Sequence, residues 1–256
     1  MLDIDGVIRV GGQVLPEMLS VLDQARASGI LVTVATGRGY LRAREALGGF
    51  EPNAPLLIED GARLTTLQGA DLEFHPVEAQ TIQALRSVLT KQPVRFAGFC
   101  PRDAKTYKFF LRASAVEFVR AHFGQIVDET TADVDTFLEW ATTLGCAKIT
   151  IQSEPGTTLA FPDGVEQTRN VGLYNVNPFG VNKGSGVRAL AVRLGVQLTD
   201  VLVAGNDWND CHMFRLAAGV RVAVGTEVAE LLSLATHHVV DPTQLPVLLR
   251  SFLAAK

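Results

Sequence analysis

The chain is poor in cysteine: 256 residues hold three, Cys100, Cys146 and Cys211. They are widely spaced and odd in number, which fits neither a disulfide framework nor a zinc-binding spacing. They are expected to be small buried hydrophobes. No run approaches the roughly 18 apolar residues of a membrane span. The first acid comes at residue 3, so no signal peptide is expected. Basic residues number 23 against 27 acids, a formal net charge of -4, and both signs are mixed along the chain. Without a basic stripe, nucleic acid is excluded as a partner. Internal repeats and low-complexity segments are absent too. These absences leave a cytoplasmic, soluble protein with neither membrane nor nucleic-acid partners as the default expectation. At 47% hydrophobic residues the chain can build a sizeable core, as one large domain or two modest ones.

What is present is a βα rhythm. Residues 15–29 carry apolar positions at helical spacing and stop at Gly29. The run ILVTVATG follows, then a helical stretch at 40–48, then APLLIEDGA at 54–62. Short continuous apolar runs of this kind suit strands buried on both faces, and their alternation with helices predicts a parallel sheet with crossover connections. From about residue 76 the rhythm changes. VEAQTIQALRSVLTKQ reads as a helix, PVRFAGF and KTYKFFLRA as antiparallel strands, 114–123 and 133–144 as helices, and CAKITIQ, TTLAFP and RNVGLYNV as short strands. This predicts an inserted α+β domain at roughly 76–175. After residue 176 the βα rhythm resumes: KGSGVRALAVRLG as a helix, DVLVAGN as a strand, DCHMFRLAAG as a helix, VRVAVG as a strand, EVAELLSLA as a helix, THHVV as a strand and 244–254 as a helix. The expected fold class is α/β, a Rossmann-like parallel sheet core with an inserted α+β cap domain. Only Met1 and Leu2 precede Asp3, whereas a buried central strand runs about five to six residues. If LDID ends such a strand its first half is missing here, and whether the start is truncated or wrongly chosen is left open.

Polar residues recur at one structural place, the carboxyl end of the expected parallel strands, where open α/β sheets build their sites. The first strand ends in Asp3 and Asp5, the second in Thr36, and the strand at 201–204 in GNDWND. Lys183 opens the helix leading into that last strand. Alone, each feature has a plain explanation. A DxD pair is common, a Thr-Gly after a strand is usually a turn or a cap, and a lysine near a helix start is usually solvated. Their order within one βα framework is far more specific.

The chemistry that fits is phosphoryl transfer. Residues two apart on an extended chain point the same way, so Asp3 and Asp5 are expected to face one pocket. One carboxylate can attack phosphorus to form an aspartyl-phosphate, and a second carboxyl group can protonate the leaving alcohol and then deprotonate water. The obstacle is an anion approaching an anion, at roughly 1 kcal/mol per charge pair in water and several times more in a partly dry cleft. Mg²⁺ with oxygen ligands and a lysine would remove that barrier. Asp3, the Asp5 backbone carbonyl and a GNDWND side chain offer oxygens, and Lys183 and the Thr36 hydroxyl would hold the phosphoryl group.

LDIDGV, VATGR, NKG and GNDWND, in that order, resemble the four motifs of the haloacid dehalogenase-like (HAD) phosphatase superfamily over nearly the whole chain. YNVNPFGVNKGSGVRALA and the inserted α+β segment resemble its Cof-type, class IIB branch with a C2-type cap. The resemblance implies a catalytic core at 1–75 and 176–256 and a cap at 76–175. It implies Asp3 as nucleophile, Asp5 as general acid and base, and Thr36, Gly37, Arg38, Lys183 and Asn209 as the phosphate-binding set, Asn209 either touching phosphate or supporting its loop. Mg²⁺ would be bound by Asp3, Asp5 and Asn206, with Asp207 and Asp210 behind them, Asp210 orienting Lys183 or a metal-bound water. The implied activity is Mg²⁺-dependent hydrolysis of small phosphomonoesters, sugar phosphates or related phosphorylated metabolites. Two positions depart from the family pattern. Asn206 stands where a metal-binding aspartate is usual, and Asp60 of IEDGA stands where that branch often has asparagine. Asn206 and the short start motivate a rival reading, a relative that binds a phosphate ligand without turnover. A phosphomutase of the same fold is a second alternative.

Other features are read as structural. GVNKGS has lysine before glycine, the wrong order for a P-loop, and GRG at 37–39 lacks the third glycine of a dinucleotide fingerprint. His237 and His238, adjacent on a strand, face opposite sides. Trp208 is expected to pack, and Lys148 to be a surface lysine.

Overall fold

The computed structural model describes residues 1–254 apart from 171, 172 and 217. These form two compact units, Met1–Glu73 with Val181–Lys256, and Phe74–Gly180.

The first unit is built on parallel pairings. Leu2 bridges Val34 on one side and Ala204 on the other, and Ala35 bridges Leu57. Beyond Ala204, Leu202–Gly205 pairs in parallel with Val220–Val224, which pairs in parallel with His237–Val239. Numbered by sequence, these six segments run 3-2-1-4-5-6 in space, the doubly wound order whose direction reverses between segments 1 and 4. At the far edge Leu56–Ile58 continues into an antiparallel meander with Arg63–Thr65 and Asp71–Phe74. Both faces are covered, and the strand alternation shows it. Leu2, Val34, Ala204, Val222 and Val224 join the core shared with helices Pro16–Ala27 and Leu245–Ala254. Ala35, Leu57, Val203 and Ala223 join the opposite core, where Val187 and Leu190 of helix Lys183–Leu194 pack. Asp3 follows Leu2, so its side chain leaves the sheet on the face that carries the Lys183 helix.

The second unit holds a six-stranded sheet in the order Gln167–Asn170, Leu173–Val176, Ile149–Ser153, Val94–Phe99, Tyr107–Leu111 and Val127–Thr131. All of its pairings are antiparallel except the last. Helices Ala79–Lys91 and Val134–Leu144 supply one core, and helix Val116–Phe123 with Phe96 and Phe109 supplies another. Lys108 sits over the ring of half-buried Trp140, with its Nζ 5.0 Å from the ring centroid.

Several expected elements differ. TTLAFP forms no strand. RNVGLYNV is two paired strands rather than one, and its Val171 and Gly172 lie outside the described residues. DCHMFRLAAG is helical only over Cys211–Phe214, and its Ala217 lies outside the described residues. Val127–Thr131 is an edge strand whose polar sequence, VDETT, shows no apolar alternation. Lys148, expected at the surface, is buried. The three cysteines are free and buried.

Candidate active site

The site forms where the sheet order reverses. Asp3 N–H donates to the Ala204 carbonyl at 2.9 Å, which holds the ends of segments 1 and 4 together. Lys183 enters from the N-terminus of its helix. There Asn182 accepts from Ser185 N–H at 3.0 Å and Ser185 caps in return, the reciprocal arrangement that starts a helix firmly. Its ammonium donates to Asp3 Oδ1 at 2.9 Å and to Asp210 Oδ1 at 2.7 Å. All three side chains are buried.

Asp210 does two jobs. While Oδ1 holds Lys183, Oδ2 accepts from the backbone N–H groups of Asn206 at 2.8 Å and Asp207 at 3.1 Å. The GNDWND loop is thus wound around one carboxylate. Asp207 caps the short turn Trp208–Asp210, accepting from Trp208 N–H at 2.7 Å. Trp208 is not packed but 55% exposed.

Asp5 does not continue the strand beside Asp3. The Ile4 carbonyl accepts from the N–H groups of Val7, Ile8 and Arg9, so the chain curls immediately after Asp3. The expectation that both acids project from one extended segment fails for that reason. Asp5 is instead met by Arg38, whose Nε donates to Oδ2 and Nη2 to Oδ1, each at 2.7 Å. Arg38 is set by its own loop, since its N–H donates to Thr36 Oγ1 at 3.2 Å. Thr36 is buried and donates its N–H to the Leu57 carbonyl at 2.9 Å. Gly37 lies against Asp60, where a Cβ would approach Oδ1 to 3.0 Å. Asn209 is buried, and its Nδ2 donates to Asp60 Oδ1 at 2.8 Å. Sequence reasoning noted Asp60 only as a departure from a pattern, yet it faces both Gly37 and Asn209.

Electrostatics follow from this packing. Burial pushes the Asp3 carboxyl up, to about 7, with Asp210 adding to the rise and Lys183 opposing it. Burial alone would discharge Lys183, but Asp210 and Asp3 outweigh it and hold the ammonium in its charged form. Burial would likewise lift Asp5, and the Arg38 guanidinium outweighs it, so this carboxyl lies below the ordinary carboxylate range.

Two buried carboxylates on one ammonium leave an excess of negative charge. Beside them, Asn206 Oδ1 is buried without a hydrogen-bond partner. Gly6, at φ 78°, makes room for that amide, because a Cβ there would lie 2.2 Å from Asn206 Nδ2. An orphaned amide oxygen beside surplus negative charge suits a hard divalent cation with oxygen ligands. Among the described residues no group of three or more His, Cys, Asp or Glu is arranged to hold a metal. Of the three residues expected to bind one, Asp3 is buried beside Lys183 and Asn206 carries the unpartnered oxygen, while the Asp5 side chain is taken by Arg38.

Residues 1–247 match the family model of the haloacid dehalogenase-like hydrolases. The chain belongs to that family. Within the haloacid dehalogenase-like hydrolases it is 25% identical to the stress response protein YhaX of Bacillus subtilis, over 90% of this chain and 83% of that protein. Its fold is shared with the HAD phosphatase BT1666 of Bacteroides thetaiotaomicron, at a TM-score of 0.75, 20% identity and coverage of 98% and 93% of the two chains. It is shared equally with BT4131, a sugar phosphatase of HAD subclass IIB, at a TM-score of 0.76, 17% identity and coverage of 98% and 97%. Among the described residues no helix is long and apolar enough to cross a membrane.

Proposed function

We propose that this hydrolase is a Mg²⁺-dependent phosphatase of small phosphomonoesters, with sugar phosphates and related metabolites as the substrate class. The observation that carries the proposal is the buried Lys183 ammonium bonded at once to Asp3 and Asp210. It fixes one Asp3 oxygen and leaves the carboxylate at the switch point of the sheet, where a ligand binds in open α/β folds.

Asp3 is the nucleophile. One of its oxygens attacks phosphorus as the ester P–O bond breaks, and the leaving oxygen takes the proton of Asp5, which takes that proton up from solvent once the substrate's phosphoryl group has drawn Arg38 away from it. Water then attacks the aspartyl-phosphate, its proton passes to Asp5, and phosphate leaves with Asp3 restored. Lys183 and Thr36 hold phosphoryl oxygens, and Lys183, itself fully buried, offsets charge there. Mg²⁺, held by Asp3, the Asp5 carbonyl and Asn206, would supply charge neutralisation between nucleophile and phosphate. The unit Phe74–Gly180 is assigned the part of a cap that selects the leaving group.

The test is hydrolysis of a chromogenic aryl phosphate with and without Mg²⁺. Turnover should vanish with a chelator, and Asp3→Asn should lower kcat by at least ~1,000-fold, the scale of removing a nucleophile. Tight binding of a phosphate analogue with no turnover at any metal concentration would replace this proposal with the non-catalytic binding alternative. A panel of phosphorylated metabolites would then identify the substrate.

A further inference from the structure

Glu59 and Asp60 are the non-glycine residues with positive φ among those described, at 52° and 58°. Two consecutive acids in the left-handed region are unfavourable and persist only where surroundings enforce them. Those surroundings are the site. Asp60 N–H donates to the Thr36 carbonyl at 3.1 Å. The following glycine, Gly61, packs so closely on the start of the Lys183 helix that a Cβ would lie 2.2 Å from the Asn182 carbonyl oxygen. The Asp60 carboxylate, itself buried, reaches the GNDWND loop by accepting from Asn209 Nδ2. One strained turn thus touches the Thr36 loop, the Lys183 helix and the GNDWND loop.

The chemistry at Asn209 has a direction. Asp60 Oδ1 accepts from Asn209 Nδ2 at 2.8 Å, so Asn209 turns its amide nitrogen to Asp60 and its oxygen away. That oxygen, on a side chain almost wholly buried, has no hydrogen-bond partner. A buried acceptor left alone is costly, and phosphoryl oxygens, themselves acceptors, do not satisfy it.

We infer that Asp60 is a positioning residue of the phosphoryl site. It pins the Asn209 amide so that Asn209 meets its ligand as an acceptor toward an electropositive partner, the shell of a bound cation or a substrate hydroxyl, and not as a donor to phosphate. The identity of that ligand rests on the function proposed above; the pinning of Asn209 does not.

An exchange of the two side chains tests it. Asn209→Asp alone sets two buried carboxylates against each other, and it should lower Tm and reduce kcat/KM for an aryl phosphate by roughly 100-fold or more. The double variant Asp60→Asn/Asn209→Asp restores a donor facing an acceptor and still presents an oxygen to the site. It should regain most of the lost Tm, at least about tenfold of the lost kcat/KM, and inhibition by inorganic phosphate. A double variant no better than Asn209→Asp in Tm overturns the pinning. A double variant that regains Tm but neither turnover nor phosphate inhibition overturns the acceptor assignment and makes Asn209 a phosphate donor. Thermal shifts with Mg²⁺ alone separate the two partners. A larger shift in the double variant than in the wild type assigns the cation, and an equal shift with a changed KM assigns the substrate hydroxyl. A wild-type chain with no turnover and no phosphate binding would remove the proposed function, and the Tm comparison would still decide whether Asp60 holds Asn209.

Discussion

Arg38 grips both oxygens of Asp5, Nε on Oδ2 and Nη2 on Oδ1, in a two-pronged pair with each contact at 2.7 Å. The group assigned to deliver a proton is therefore held ionised by a neighbour that is itself suited to bind a phosphoryl group. In the proposed reaction a bound phosphate dianion would compete for the same guanidinium, and loss of that partner would raise the Asp5 pKa so that the carboxyl can take up the proton it delivers.

Arg38→Ala should move the alkaline limb of the kcat profile, set by the proton donor, to higher pH, because Arg38 is what holds the Asp5 carboxyl below its ordinary range. KM should rise as well. Arg38→Lys should restore charge but not the two-pronged contact, and recover only part of each effect. The sign for stability follows. A depressed carboxyl stabilises the fold above its unfolded pKa, and this is lost as pH falls through the folded value; in Arg38→Ala that acid-side loss should shrink. An alkaline limb that stays in place would mean that another group donates the proton.

Lys183→Met should cost about 3–5 kcal/mol of stability, the range for removing one partner of a buried ion pair. Asp3 and Asp210 would remain buried without their cation. Denaturant unfolding should show part of that loss recovered as pH is lowered, since protonation neutralises the stranded carboxylates. Stability that is unaffected at pH 7 would contradict the buried triad.

Asn206→Asp should lower the Mg²⁺ concentration needed for half-maximal turnover, because a carboxylate adds charge where the orphaned amide oxygen now stands. A Mg²⁺ titration of both proteins reads this directly. An unchanged or raised requirement would place the cation on other ligands.

Gly6→Ala should cost roughly 1–3 kcal/mol through its positive φ alone. Since its Cβ would lie 2.2 Å from Asn206 Nδ2, it should also raise the Mg²⁺ requirement. Normal metal response in a destabilised variant would separate backbone strain from the position of the amide.

Much of the core fold was legible because its strands are buried on both faces and so read as short apolar runs. ILVTVATG and DVLVAGN advertise themselves in this way, and each ends in the polar residues that reach the site. The edge strand Val127–Thr131 was not legible, since an edge exposed to solvent needs no apolar alternation. TTLAFP misled for the opposite reason: β-branched and apolar residues also line irregular segments that pack, as Leu159 does. In the site, spacing brought Lys183, Asp3 and Asp210 into view. It could not show the curl after Asp3, which depends on three amides meeting the Ile4 carbonyl. Nor could it show the partnership of Asp60 with Asn209, which are 149 positions apart in the chain.

The exposure of Trp208 gives the molecule a built-in optical probe. The sequence contains two tryptophans. One, Trp140, lies half-buried beneath Lys108 in the unit Phe74–Gly180. The other is solvent-facing on the loop that carries Asn206 and Asp210. With Trp140→Phe, emission would come from Trp208 alone, so quenching or a blue shift on adding ligand would report on that loop without any label.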